Sequence, residues 1–192
     1  MERWLATMRD KPGLWTEFVP VAFHVDYWNR LGWPDRFSRK EFTEREYAYA
    51  AEWRGESVYT PCVVRDGAEW RGGLTFAPSQ QPAGILSATY DGVAVRAEFA
   101  PEKKSAADAW EIHAALLGGD IASKVLAGEN RGTTLHHEFV ALALTHGAPG
   151  AALPLPRVKL AGVPRYALAV WVTRRGELTP VQATGGWLEP AG

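Results

Sequence analysis

Cysteine is almost missing from this chain, with Cys62 alone among 192 residues. One thiol excludes an intramolecular disulfide, a Cys-x-x-Cys pair and any all-thiolate zinc site. An excess of charge of either sign is also missing: 21 Lys and Arg face 22 Asp and Glu, a formal net charge of -1. The two signs are interspersed, so there is no basic face of the kind that counterion release on phosphate backbones requires. Nucleic acid is not expected as a partner. No apolar run reaches the roughly 18 residues of a membrane-crossing helix, and the longest are interrupted by Gly, Pro or charge. No membrane span is expected. The opening residues Met1 to Leu5 lack the basic segment and apolar run of a secretory leader. No Ser-His-Asp order, phosphate loop or dinucleotide fingerprint stands out, because the Gly-rich stretches lack a strand-to-helix context. Aromatic and aliphatic side chains are plentiful instead. Nine tryptophans and a 46% apolar content support a buried core without covalent staples, with most Trp as core anchors.

The first third of the chain alternates helix and strand signals. Residues 2–10 place Trp4, Leu5 and Met8 at helical spacing before Lys11-Pro12-Gly13 stops the helix. Residues 18–25 are nearly continuously apolar, the pattern of a strand covered on both faces. After a loop rich in Trp, Gly and Pro, Ser38 and Glu41 match a capping box. Phe42, Tyr49 and Trp53 then give a helix one bulky face until Gly55. Thr60-Pro61 introduces a strand at 62–65, and Asp66-Gly67 turns it into a partner at 68–71. From Gly72 to Gly84 the composition shifts to Gly, Pro, Ser and Gln, which marks a boundary. Beyond it the period is two: runs at 86–90, 93–99, 110–116, 121–126, 133–145, 157–160, 166–173 and 179–184 read as short strands between turns. The expected class is α+β. Residues 1–76 form an α/β domain, 77–84 a linker and 85–192 an all-β, sandwich-like domain.

The block Val21-Ala22-Phe23-His24-Val25-Asp26-Tyr27-Trp28, with Leu31-Gly32-Trp33 and Val58-Tyr59-Thr60-Pro61, resembles the bacterial domain-of-unknown-function family 1223. Residues 128–135, Gly-Glu-Asn-Arg-Gly-Thr-Thr-Leu, look like that family's second-domain signature. The resemblance implies a thioredoxin-like first domain, here incomplete, and a periplasmic or secreted full-length form. It also implies a first strand and a Cys-x-x-Cys-Pro-Pro motif ahead of the helix that begins at Glu2. Met1 stands just after the place where that motif is expected, so a start assigned too late is expected, with a degenerate homologue as the alternative. Thiol-disulfide exchange needs an attacking thiolate of lowered pKa and a second, resolving thiol; the chain as it stands holds neither. With a strand and a closing helix missing from the expected first domain, an edge and an apolar face call for cover. Extensive packing between the domains, or a homo-oligomer, is therefore expected.

Candidate site residues follow from the pattern and the resemblance together. The resemblance puts Thr60-Pro61 at a cis-proline turn that presents backbone to an extended substrate; an ordinary Pro opening an edge strand is the plainer reading. Cys62 is either a lone reactive thiol or a small buried hydrophobe, and the absence of a local basic group favours the second. His24 and Asp26 end a strand two residues apart, on one face. They suit proton transfer to a thiol, metal ligation, or a polar pair that pins the following loop, and the last is preferred. Tyr27 and Trp28 start an aromatic loop fit for docking a peptide. The two neighbouring histidines, His136 and His137, and Glu138 lack the spacing of a helical metal motif and read as surface. Residues 129–131 read as a tight loop, with anion binding by Arg131 the minority option. No metal ligands and no cofactor are assigned. Two functions stay open: a redox-inactive module that binds an extended peptide or protein, and a thiol-disulfide oxidoreductase whose dithiol lies upstream of Met1.

Overall fold

The computed structural model describes residues 1–31, 34–55, 57–73, 83–103, 109–125, 132–157 and 159–189. It begins with a helix, α1 (Glu2–Met8), whose Leu5 and Met8 are buried at i, i+3 spacing. Residues 18–25 differ from the expected regular strand. They make two isolated parallel rungs, Phe18 to Leu14 and Ala22 to Val140; in the second the Ala22 N–H donates to Phe139 O and Ala22 O accepts from the Ala141 N–H. Pro20 has no N–H to give to a ladder, which limits pairing there. The next helix, α2 (Lys40–Glu52), buries Phe42 and Tyr49 as the spacing predicts, and Trp53 stacks on Tyr49 at 5.3 Å. Its expected capping box does not form. Arg39 is the cap residue without a side-chain cap bond, because the Ser38 hydroxyl is engaged in the preceding loop, donating to Asp35 O and accepting from Asn29 Nδ2.

The Asp66-Gly67 signal is realised as a hairpin of β1 (Val64–Arg65) and β2 (Ala68–Glu69). Both turn residues have positive φ, 49° and 84°, as a type I′ turn demands. The remaining strands are β3 (Gly84–Tyr90), β4 (Ala94–Pro101), β5 (Trp110–Gly119), β6 (Ile121–Lys124), β7 (Thr134–His137), β8 (Val140–Gly147), β9 (Leu153–Pro154), β10 (Arg165–Arg174) and β11 (Pro180–Trp187). They build a four-stranded sheet in the order β11-β10-β5-β8, a three-stranded sheet β3-β4-β9 and a two-stranded ribbon β6-β7. All strand pairs among the described residues are antiparallel. The run at 133–145 is split at Glu138-Phe139, where Phe139 takes φ 57°. The described part of 157–160 forms no strand, whereas Leu153–Pro154 pairs with β4 unannounced by any alternation. The α+β class holds.

The period of two explains the layers. On β5, Ile112, Ala114 and Leu116 face a core shared with Leu86, Val95 and Ala97 of β3 and β4, while Ala115 and Leu117 face the other way. On β10, Leu168, Val170 and Val172 join the first core and Ala167, Ala169 and Trp171 the second. That second core is completed by Leu5 and Met8 of α1, Phe42 of α2 and partly buried Phe18, Val21 and Phe23. Both faces of the central strands are thus covered, one by β3-β4-β9 and one by the N-terminal elements. The expected packing between the chain's two parts is this second core. The 77–84 boundary lies mostly outside the described residues.

Candidate functional site

Three distant pieces of chain meet beside the second core. α1 brings Glu2 in its first turn, the segment beyond the Ala22 rung brings His24, and the end of β7 brings His137. Each offers one ligand atom, and these atoms all lie within 4.8 Å of one another. His137 is only 5% exposed. Its Nδ1 is 3.3 Å from Glu2 Oε2, yet neither buried atom has a hydrogen-bond partner. The His24 and His137 rings are 5.4 Å apart, and Phe37 borders both, at 6.1 and 6.4 Å.

His24 is held from behind. Its Nδ1 lies 2.5 Å from Asp35 Oδ2, and Asp35 is fixed in turn by the Phe37 N–H on Oδ1 and by its own N–H on Asn29 Oδ1. Burial alone would raise the Asp35 carboxyl; the hydrogen bond and charge of His24, with the Phe37 N–H, outweigh it and hold the group below its ordinary value. An ionised Asp35 accepts a hydrogen bond from the Nδ1–H, which leaves Nε2 as the ring nitrogen with a lone pair for a ligand.

Asp26 does not share in this. Its Oδ1 accepts from Thr43 Oγ1 at 2.6 Å, its N–H donates to the same oxygen, and its carbonyl accepts from the Asn29 N–H. His24 and Asp26 therefore have separate partners, and Asp26 ties the following loop to α2. Tyr27 donates to Glu46 Oε2 and is pushed up by burial and that carboxylate. Trp28 lies 5.5 Å from Tyr27 and is exposed. Gly32 and Trp33 lie outside the described residues.

The Thr60-Pro61 bond is cis and exposed. Cys62 beside it is half-buried, and burial pushes its thiol up against a smaller opposing hydrogen bond from Tyr59. A raised thiol is a poor nucleophile near neutrality. Tyr59 itself donates to Glu69, which also binds Arg71, and is pushed up to about 12 by that hydrogen bond first and burial second. The neighbours that set the Cys62 thiol are Tyr59, Glu46, Glu69 and Arg71, so the structure groups it with the hairpin and α2 and not with His24 and His137.

Sequence reasoning missed Glu2, Asp35 and the burial of His137. It also placed Glu138 at the surface, whereas Glu138 is 3% exposed and its carboxylate accepts from Arg9 Nη1 and the Asp120 N–H. The surface reading of this stretch holds for His136 alone. Strand alternation did put His136 and His137 on opposite faces; what it lacked was that α1 covers the His137 face. Residues 129–131, and with them the first half of the second signature, lie outside the described residues.

Comparison with known proteins adds family and fold. No curated protein matches the chain. The crystal structure of protein AGR_C_4864 from Agrobacterium tumefaciens is similar over 97% of this chain and 85% of that one, with a TM-score of 0.56 and 20% identity. At that identity the likeness concerns the fold alone. The family model described as protein of unknown function DUF1223 matches residues 1–173, so the chain belongs to the DUF1223 family.

Proposed function

We propose that this chain is a binding module for an extended peptide or unfolded segment of another protein, docking across the surface between α2 and the β1-β2 hairpin. One observation carries the reading. Trp28, Tyr47 and Tyr59 are three of the seven large hydrophobics left exposed among the described residues, and they lie around Tyr27 and Cys62. The Tyr27 ring is tilted against Trp28 at 5.5 Å, its phenol lies within electrostatic range of Tyr47 and Cys62, and Cys62 is bonded by Tyr59. Clustered exposed aromatics mark interaction surfaces, whereas isolated ones need no explanation. The outer edge of β1 is unpaired among the described strands, which supports main-chain pairing with an extended ligand. The single cysteine and its raised thiol weigh against dithiol exchange by these residues. With this reading go a thioredoxin-like origin for residues 1–76, supported by the order of α2 and the antiparallel hairpin, and a periplasmic or exported setting, supported by the family resemblance.

The test is binding of a fluorescently labelled, reduced and carboxamidomethylated polypeptide, followed by anisotropy. The Trp28→Ala, Tyr59→Ala double variant is expected to bind at least tenfold more weakly with an unchanged circular dichroism spectrum. Ile85→Ser, which removes an exposed hydrophobic on β3, is expected to bind as the parent does. Equal binding by parent and double variant overturns the proposal.

A further inference from the structure

We propose that Glu2, His24 and His137 bind one divalent transition-metal cation of the zinc class, with Asp35 positioning His24 for it. The donor set is two imidazoles and one carboxylate. Nitrogen-rich sets of this kind select zinc and its first-row neighbours over magnesium and calcium, which take oxygen.

The geometry supports the same cation. In a tetrahedral site with bonds of about 2.0–2.1 Å, neighbouring ligand atoms lie roughly 3.3–3.4 Å apart. His137 Nδ1 and Glu2 Oε2 stand 3.3 Å apart, and the third ligand atom is within 4.8 Å of both. Burial makes the pair informative. His137 Nδ1 and Glu2 Oε2 are enclosed and lack hydrogen-bond partners, an arrangement that natural interiors rarely leave uncompensated. A cation between them satisfies both. The carboxylate behind His24 completes the pattern by which histidine ligands are oriented, since Asp35 holds Nδ1 and so directs Nε2 outward as the ligating atom. Phe37 walls the two rings, and the Glu2 side chain, 34% exposed, leaves a route by which an ion enters. Three protein ligands leave a fourth position for water or a small ligand.

The untagged 192-residue protein, stripped with a chelator, is dialysed against zinc chloride, and separately titrated with cobalt chloride for its visible spectrum. One equivalent of zinc per chain is expected, with the intense visible bands of low-coordinate cobalt. Glu2→Gln and His137→Gln are each expected to weaken zinc at least tenfold. Asp35→Asn is expected to weaken it by roughly 10–100-fold and to shift the cobalt bands, which a purely structural role would not do. His136→Gln, the exposed neighbour, is expected to bind as the parent does. Should His137→Gln not fold, Glu2→Gln at the helix start with a native circular dichroism spectrum carries the test. Binding of less than one equivalent, parental affinity in Glu2→Gln, or an equal loss in His136→Gln overturns the assignment.

Discussion

Among individual residues, His113 shows most directly how burial governs charge. Its ring lies parallel to Trp171 at 5.4 Å, hydrogen-bonds with Thr173 Oγ1 at 3.0 Å and is only 9% exposed. Burial first, then the nearby Arg45 guanidinium and His146, lower its pKa from 6.5 to about 4, against a smaller opposing pull from Glu111. Because the folded value lies below the unfolded one, the unfolded chain binds the extra proton between them. The contribution to stability is therefore complete above about pH 6.5 and is lost as the pH falls through 4. It amounts to at most ~3 kcal/mol. Urea midpoints measured from pH 8 to pH 4 are expected to fall across that window, and His113→Gln is expected to flatten the fall. A slope unchanged in that variant would assign the loss to other groups. Of this residue's environment the sequence showed only alternation in the run 110–116; the stacking partner comes from β10, far along the chain, and no local pattern points to it.

At the scale of elements, α2 is anchored at both ends by pairs of polar contacts. Near its start, Thr43 is buried and exchanges two hydrogen bonds with Asp26. Near its end, Trp53 Nε1 donates to Gly67 O of the hairpin and Tyr49 OH to Leu178 O. Thr43→Val keeps the volume but strands the Asp26 carboxylate and N–H in a partly buried setting, which costs about 1–3 kcal/mol. Chemical denaturation is the measurement, and a loss below 0.5 kcal/mol, roughly the scale of a surface substitution, would show that water replaces the hydroxyl. The existence of α2 was legible because Phe42, Tyr49 and Trp53 repeat along one face. Its cap was not, because the Ser38 hydroxyl had two claimants and the tertiary loop, through Asn29 and Asp35, won it. The hairpin turn was legible, since Asp-Gly is among the few dipeptides that adopt positive φ at both turn positions cheaply, while its strands are two residues each instead of the expected four.

Across the whole molecule, the central sheet joins everything. β5 and β10 are buried on nearly every residue, serving one core toward β3-β4-β9 and another toward α1 and α2. Unfolding is therefore expected to be a single transition, with tryptophan fluorescence and far-ultraviolet circular dichroism coincident in urea. Two separated transitions would mean that the N-terminal elements melt independently of the sheet. The sequence by itself determined the period of each element, the Asp66-Gly67 turn and the membership in a family, because these depend on residues close together or on their order. It also placed His24 at the end of an apolar run. Only the tertiary structure decided that residues 18–25 form isolated rungs instead of a strand, that His137 meets Glu2 of α1 while Glu138 is held by Arg9 and the Asp120 N–H, and that Glu2, His24 and His137 converge. The physical reason is that alternation tells which side chains share a face, while what covers that face is set by packing among residues far apart in the chain.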